Sequence, residues 1–433
     1  MVAVLVGVLV LVGAGIVVPR LLPSCGDAVT ERSASESSSP FLDARDRAQQ
    51  PDADRDRLVR TLAADPAPVG TVLGAVGYHY EQWAQVSAYA RGIGVRTRDN
   101  PDFTLLDDTT LRPRWSVRIA TAHSTYDADD HTYLVATMPR TKAPDLVALD
   151  LSTGERAWCH TLGERAVSTD DPFATSLLDG GDVVALSPAS KDRVRLTRVS
   201  GRQGSLAWER TVAAGDGDFL GTLGQDLLVA GGREAYRLFD GSVARRRSGP
   251  SLVAVSARDG RTVWSHDEPA GADLHVLGTQ AGRVIVQQYS TRTRTARLTA
   301  LDDTGNQAWF AVPARGAPFD ATLRSGRILV RSGNRWSAYD VDGGLLWSRR
   351  LRARPQLLPY GFALDGVPLL DEDHVLLGTT DALLTMDLRT GATTSARLPT
   401  DGVATTYWPY QVAVSPHLVA VATNTGAVVV RRR

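Results

Sequence analysis

Seven related phrases, each an apolar run, a tight turn and a second run, constrain this chain more than any other feature. "LVALDLSTGERAWCHTL" sets Asp150 eight residues before Trp158, and "FTLLDDTTLRPRWSVRI" sets Asp107 eight before Trp115. "LTRVSGRQGSLAWERTV" and "LVAVSARDGRTVWSHDE" keep Trp208 and Trp264 but carry Ser200 and Ser256 in place of the aspartate. In "LTALDDTGNQAWFAVP" and "WSAYDVDGGLLWSRRL" the spacing is seven, from Asp302 to Trp309 and from Asp340 to Trp347. "LLTMDLRTGATTSARLP" has Asp387, with Ser395 at the tryptophan position. The tryptophan positions are 43, 50, 56, 45, 38 and 48 residues apart. That period is too long for strand-plus-turn solenoids and suits a blade of four short antiparallel strands.

The phrase has a mechanical reading. Asp or Ser at the end of a third strand accepts from backbone N–H groups two residues on and starts the turn. Gly154, Gly260, Gly305 and Gly391 take the positive φ that closes the hairpin. Tryptophan on the fourth strand offers a flat face between neighbouring blades and an indole N–H for a buried acceptor. No blade buries both faces alone, so the units must form a ring. The sequence thus predicts an all-β, seven-bladed propeller over 103–433, preceded by a membrane helix and a linker. Its C-terminal strands, "YQVAVSPHLVAVATNTGAVVVRRR", are expected to pair with the Trp115 strand and hide the open edges. If residues 80–119 build a blade of their own, the count becomes eight.

Upstream the composition changes. Residues 1–24 are apolar up to Arg20, and as a helix Val2 to Val18 would span about 26 Å, close to the roughly 30 Å hydrocarbon core. This predicts a single-pass membrane anchor with the propeller outside the cytoplasm. The alternative is a cleaved signal, "LPSC" resembling a lipobox that would make a lipoprotein through Cys25. Residues 25–70 are Ser-rich, charged and Pro-punctuated, which suits a flexible tether. Residues 71–102 give no clear period and form an uncertain entry segment. The two cysteines, Cys25 and Cys159, do not suggest a disulfide framework. Basic and acidic residues balance at 48 each, which offers no field for nucleic acid.

The recurring A-x-D-x-x-T-G-x-x-x-W pattern resembles the repeat of pyrroloquinoline-quinone-type β-propellers over about residues 103–430. It is similar to the quinoprotein alcohol dehydrogenases and more so to the BamB-type scaffolds of outer-membrane assembly. The enzymatic branch implies vicinal cysteines, calcium ligands and a catalytic aspartate. No position here carries them, so no cofactor is expected and the motif aspartates are assigned to turns. The scaffold branch implies a monomeric, non-catalytic propeller that binds another envelope protein. The alternative is a quinone-dependent or other small-molecule enzyme with a site in the central channel.

Other candidate chemistry is sparse. The histidines are scattered without paired zinc spacing. His160 and His266, each two residues after a motif tryptophan, suggest a repeated structural position, while His123 and His417 fall near inner-strand ends. "TYDADDH" lacks the glycine and distal glutamate of a calcium loop and reads as an exposed acidic turn. The insertion "GGREAYRLFDGSVARRRSGP" places Tyr236, Phe239, Arg245, Arg246 and Arg247 on a candidate partner-binding loop.

Overall fold

In the computed structural model each motif aspartate or serine ends a third strand or directly follows it, and each motif tryptophan sits on the fourth strand that pairs back onto it. The structure describes most residues from Val72 to Arg431. Residues 1–71 and the segments 163–173, 232–251, 352–368 and 398–410, with shorter stretches at other turns, lie outside it. The predicted membrane helix, the lipobox and the Tyr236–Arg247 loop therefore fall outside the described residues. Among the described residues no helix is long and apolar enough to cross a membrane.

Seven four-stranded antiparallel sheets and one three-stranded sheet make up the described fold. In chain order, blades 1 to 6 occupy 84–118, 121–161, 174–213, 219–266, 272–311 and 320–350. Blade 7 is the three-stranded sheet over 374–397, extended by a single bridge from Leu369 to Val375. Blade 8 joins the strands at 411–431 to Val72–Gly77 as its outer strand. The inner strand of blade 1, Ala84–Tyr89, lies against Gln411–Val414 and Leu418–Thr423 of blade 8, which completes the ring.

This corrects the expected closing strand. The Trp115 strand, Pro113–Arg118, is the outer strand of blade 1 and does not close the ring; Val72–Gly77 does, in register from Val72 opposite Val430 to Gly77 opposite Gly426. The propeller therefore starts within the segment 71–102, and the sheets number eight, the alternative count in which residues 80–119 build a blade of their own. The reason is local. "VLGAVG" and "GIGVRT" are short and glycine-rich, so they carry neither bulky alternation nor the Trp–Gly punctuation that marks later blades.

The core lies between blades. Each apolar cluster draws from two successive sheets, as when Val135, Leu146 and Trp158 of blade 2 meet Val183, Ala185 and Val199 of blade 3. The third strands are covered on both faces, and all six residues of Asp145–Asp150 are buried. That double burial is why the motif's first run reads as nearly continuous apolar sequence.

Candidate functional site

The turn between third and fourth strands is the best-defined local site, and its aspartate builds it. Asp150 Oδ1 accepts from the backbone N–H groups of Ser152 at 2.7 Å and Thr153 at 3.1 Å. Asp387 Oδ1 repeats this with Arg389 at 2.7 Å and Thr390 at 2.8 Å. Asp302 takes Thr304 at 2.9 Å and Asn306 at 3.0 Å, and Asp340 takes Asp342 at 3.0 Å and Gly344 at 2.7 Å. Ser256 accepts from Arg258 N–H at 3.2 Å. Asp107 is ion-paired to Arg114, Nη2 to Oδ2 at 2.7 Å.

Turn length explains the two spacings of the motif. In the longer turns Gly154 N–H bonds back to the Asp150 carbonyl at 2.7 Å and Gly391 to Asp387 at 2.8 Å, four residues away. Gly305 and Gly343 reach Asp302 and Asp340, three residues away, at 3.1 and 3.2 Å. One residue is missing from the second kind, which brings the tryptophan one place closer. The closing glycines all have positive φ, for example +76° at Gly154 and +85° at Gly343.

Each indole crosses to the next blade. Trp115, Trp158, Trp208, Trp264, Trp309 and Trp347 donate their Nε1–H to the carbonyls of Leu151, Gly201, Ala257, Asp303, Val341 and Leu388, at 2.6–3.0 Å. The acceptor is always the residue after the next blade's motif Asp or Ser. The ring itself lies under that turn's glycine: Trp115 under Gly154, Trp158 under Gly204, Trp208 under Gly260, Trp264 under Gly305, Trp309 under Gly343 and Trp347 under Gly391. Gly204 and Gly343 fill the same role as the glycines singled out in the sequence. They stand at the same offset before tryptophan, and that offset would have found them.

Two further ties were not legible in advance. The Gly201 carbonyl accepts from Tyr126 Oη, 2.5 Å away, as well as from Trp158. The Ala257 carbonyl accepts from Arg198 Nη1 at 2.7 Å, while the same guanidinium pairs with Asp182 at 2.7 Å. His160 is buried beside Gly204, and burial holds its imidazole below the usual range despite opposing help from Gly204, Glu209 and Asp145. Its contribution is therefore complete above about pH 6.5 and is lost as pH falls through its lowered folded value. Burial also pushes the Tyr89 and Tyr126 phenols up to about 12, hydrogen bonds with Ser87 and Trp158 offsetting only part of it. Both phenols stay neutral in the fold where the unfolded chain would ionise, so stability is full below pH 10.0 and falls toward 12. An equilibrium denaturation series across that window is expected to lose up to about 1.4 kcal/mol per pH unit for each tyrosine. Replacing Tyr126 with Phe should flatten the slope; an unchanged slope would rule the residue out.

His131 and the "TYDADDH" turn belong to the same face as the motif turns. His131 Nδ1 lies 2.5 Å from Asp150 Oδ2, and its ring stacks on Tyr133. Burial raises the Asp150 carboxyl, but hydrogen bonds from Ser152, His131 and Thr153 outweigh it and hold the group below the usual carboxylate range. Asp127 accepts from Thr132 at 2.7 Å. Among the described residues no group of three or more His, Cys, Asp or Glu is arranged to hold a metal ion. The side chains of His123 and His417 lie outside the described residues. Cys159, on the outer strand of blade 2, is disulfide-bonded.

The outer rim differs in character from the turns. Leu206, Val263, Phe310, Leu345 and Leu346 are each 46–58 % exposed, and all lie on the outer strands of blades 3 to 6. The outer strands of blades 4 and 5, Thr262–His266 and Gln307–Ala311, contain no Asp, Glu, Lys or Arg.

Antiparallel sheets arranged in a ring and tied blade to blade through indoles define a β-propeller of pyrroloquinoline-quinone-like repeats. The chain belongs to the family described as outer membrane protein assembly factor BamB, which matches residues 61–244 and 248–432. Curated protein sequences give no match. Among solved structures, the Dos1 propeller is similar at a TM-score of 0.47 and 12% identity, over 83% of this chain and 89% of that one. A quinohemoprotein alcohol dehydrogenase from Pseudomonas putida gives 0.45 and 12%, over 81% and 75%. The Pan2 WD40 domain of Neurospora crassa gives 0.45 and 10%, over 84% and 95%. None is near enough to transfer a role.

Proposed function

We propose that this chain is a membrane-tethered, extracytoplasmic propeller that binds another envelope protein without catalysing a reaction. The observation that carries this is the rim, where exposed apolar side chains recur on four consecutive outer strands. We read these recurring exposed side chains as a surface kept for a partner. Membership of the BamB-described family supports an envelope setting. The disulfide at Cys159 suits an oxidising compartment. In this reading the ring works by shape, held off the bilayer by the tether and presenting its rim.

Capture of cross-linked partners from the native envelope tests the reading, with Phe310→Asp and Leu345→Asp combined as the control. The unaltered chain is expected to retain a defined partner and the double variant to lose it. Equal capture by both, or oxidation of an alcohol by the purified chain with added quinone, would overturn it. A separate check is thiol titration of the unreduced, denatured protein, which is expected to find no free thiol. A reactive Cys159 would remove the compartment argument.

A further inference from the structure

Within the apolar rim one edge stands apart. Gln307–Ala311, the outer strand of blade 5, pairs with Thr295–Leu301 alone among the described strands and ends its sheet. Its outer side is therefore a row of backbone N–H and C=O groups open to another strand. Most other outer strands carry features that blunt such an edge. Those of blades 1, 2, 3, 6 and 7 contain charged residues, as in "PRWSVR", "LAWERTVA" and "LLWSRR", and Val72–Gly77 of blade 8 has an irregular register. The strand "QAWFA" has neither device, and only "TVWSH" of blade 4 shares that lack. What separates blade 5 from blade 4 is an uncovered aromatic on each face. Trp309 turns to Gly343 of blade 6 yet stays only partly buried, whereas Trp115, Trp158, Trp208 and Trp347 are 4–9 % exposed. The next residue on its side of the strand is Ala311, too small to cover an indole. Phe310 points the opposite way by strand alternation and is 56 % exposed, with Arg297 standing 6.0 Å over its ring. Blade 4 has Ser265 at that position.

An open backbone edge calls for a partner's backbone, and uncovered rings on both faces call for apolar side chains on both faces of that partner. A second copy of this chain does not suffice. Two facing five-residue strands, each about 17 Å long, cover well short of the roughly 1,200 Å² that a stable association buries. We propose that Gln307–Ala311 is a strand-addition site, where an uncharged, extended segment of the partner protein joins blade 5 as its fifth strand. The backbone ladder supplies the affinity, and Phe310 and Trp309 select the side chains that flank it. This rests on the rim reading above and adds what the partner presents. The guest strand is covered on both faces, so it reads as a continuous apolar run and not as an alternating one.

The probe is a fluorescent, lysine-flanked peptide with a short core of valine and phenylalanine, titrated into the full-length chain and read by anisotropy. Binding is expected, with amide exchange slowed in Gln307–Ala311 and unchanged in Leu206–Ala213 of blade 3. The same peptide N-methylated through its core lacks the N–H donors and should bind at least about tenfold more weakly. Phe310→Asp is expected to weaken binding at least about tenfold as well, while Leu206→Asp, an exposed rim change on blade 3, leaves it unaltered. Equal binding of the methylated peptide would overturn the proposal, since the contact would then be apolar adhesion. Protection in another strand, or a dimer in sedimentation with Gln307–Ala311 already protected, would overturn it too. No peptide binding while envelope capture still succeeds would sink this inference alone; peptide binding with no captured partner would sink the earlier reading alone.

Discussion

Trp208→Ala is expected to destabilise the propeller by about 3–5 kcal/mol, the range for deleting a large buried aromatic. The ring is 7% exposed, belongs to the apolar cluster joining blades 3 and 4, and lies under Gly260. Its N–H bond to Ala257 is the smaller part of the loss, since Arg198 continues to donate to that carbonyl. Trp208→Phe isolates that part and should cost about 1 kcal/mol beyond any packing change. Trp264→Ala is the internal comparison. Its indole makes the same contact at 2.8 Å but is only partly buried, so the cavity left behind is shallower and the cost smaller. Equilibrium unfolding in urea, read by tryptophan fluorescence and by far-UV dichroism, gives the three values. Trp208→Ala unfolding with the unaltered chain would remove the indole from the account of what holds blades together.

The second large effect comes from the other half of the tie. A Cβ on Gly154 would sit 2.5 Å from Trp115 Cγ, at a residue whose φ is +76°. Gly154→Ala therefore combines a left-handed backbone penalty of about 1–2 kcal/mol with overpacking of about 1–3 kcal/mol. The two costs separate in a double-mutant cycle. When Trp115→Ala is already present the ring atoms are gone and only the Cβ contact at 2.9 Å remains, so adding Gly154→Ala should cost the backbone penalty and little more. Strict additivity of the two substitutions would mean that the glycine serves its own turn and not the neighbouring indole.

The parts of this architecture that were visible in advance are those built by local chemistry. Asp150, Asp302, Asp340 and Asp387 accept backbone N–H groups within four residues, so their role follows from spacing. The tryptophans were expected between blades with a bonded N–H because a large amphipathic ring on an outer strand has few other places to go. The blade count and the closing strand depended on pairing between distant segments, and the deciding strands are the ones with least side chain to read. "VLGAVG" has no bulky residue to set a period, and its partner "GAVVVR" is a plain valine run. Tyr126 and Arg198 were illegible for a related reason. Each meets its acceptor 75 or 59 residues away, in the next blade. The rim residues Val263 and Phe310 read as ordinary strand residues, because exposure is set by the sheet's place in the ring.

The joining of Val72–Gly77 to Gly426–Arg431 has a consequence for how the protein is made. During synthesis the earlier strand emerges long before its mate exists, and the chain between must wait with that edge unsatisfied. Hairpins inside blades 1 to 6 can form as they appear, since their contacts are near in sequence. The circle itself is a late event, limited by the search of one short strand for another across a nearly finished body. Until then the nascent molecule is an open crescent with two sticky ends, the stage at which assistance against misassembly matters most.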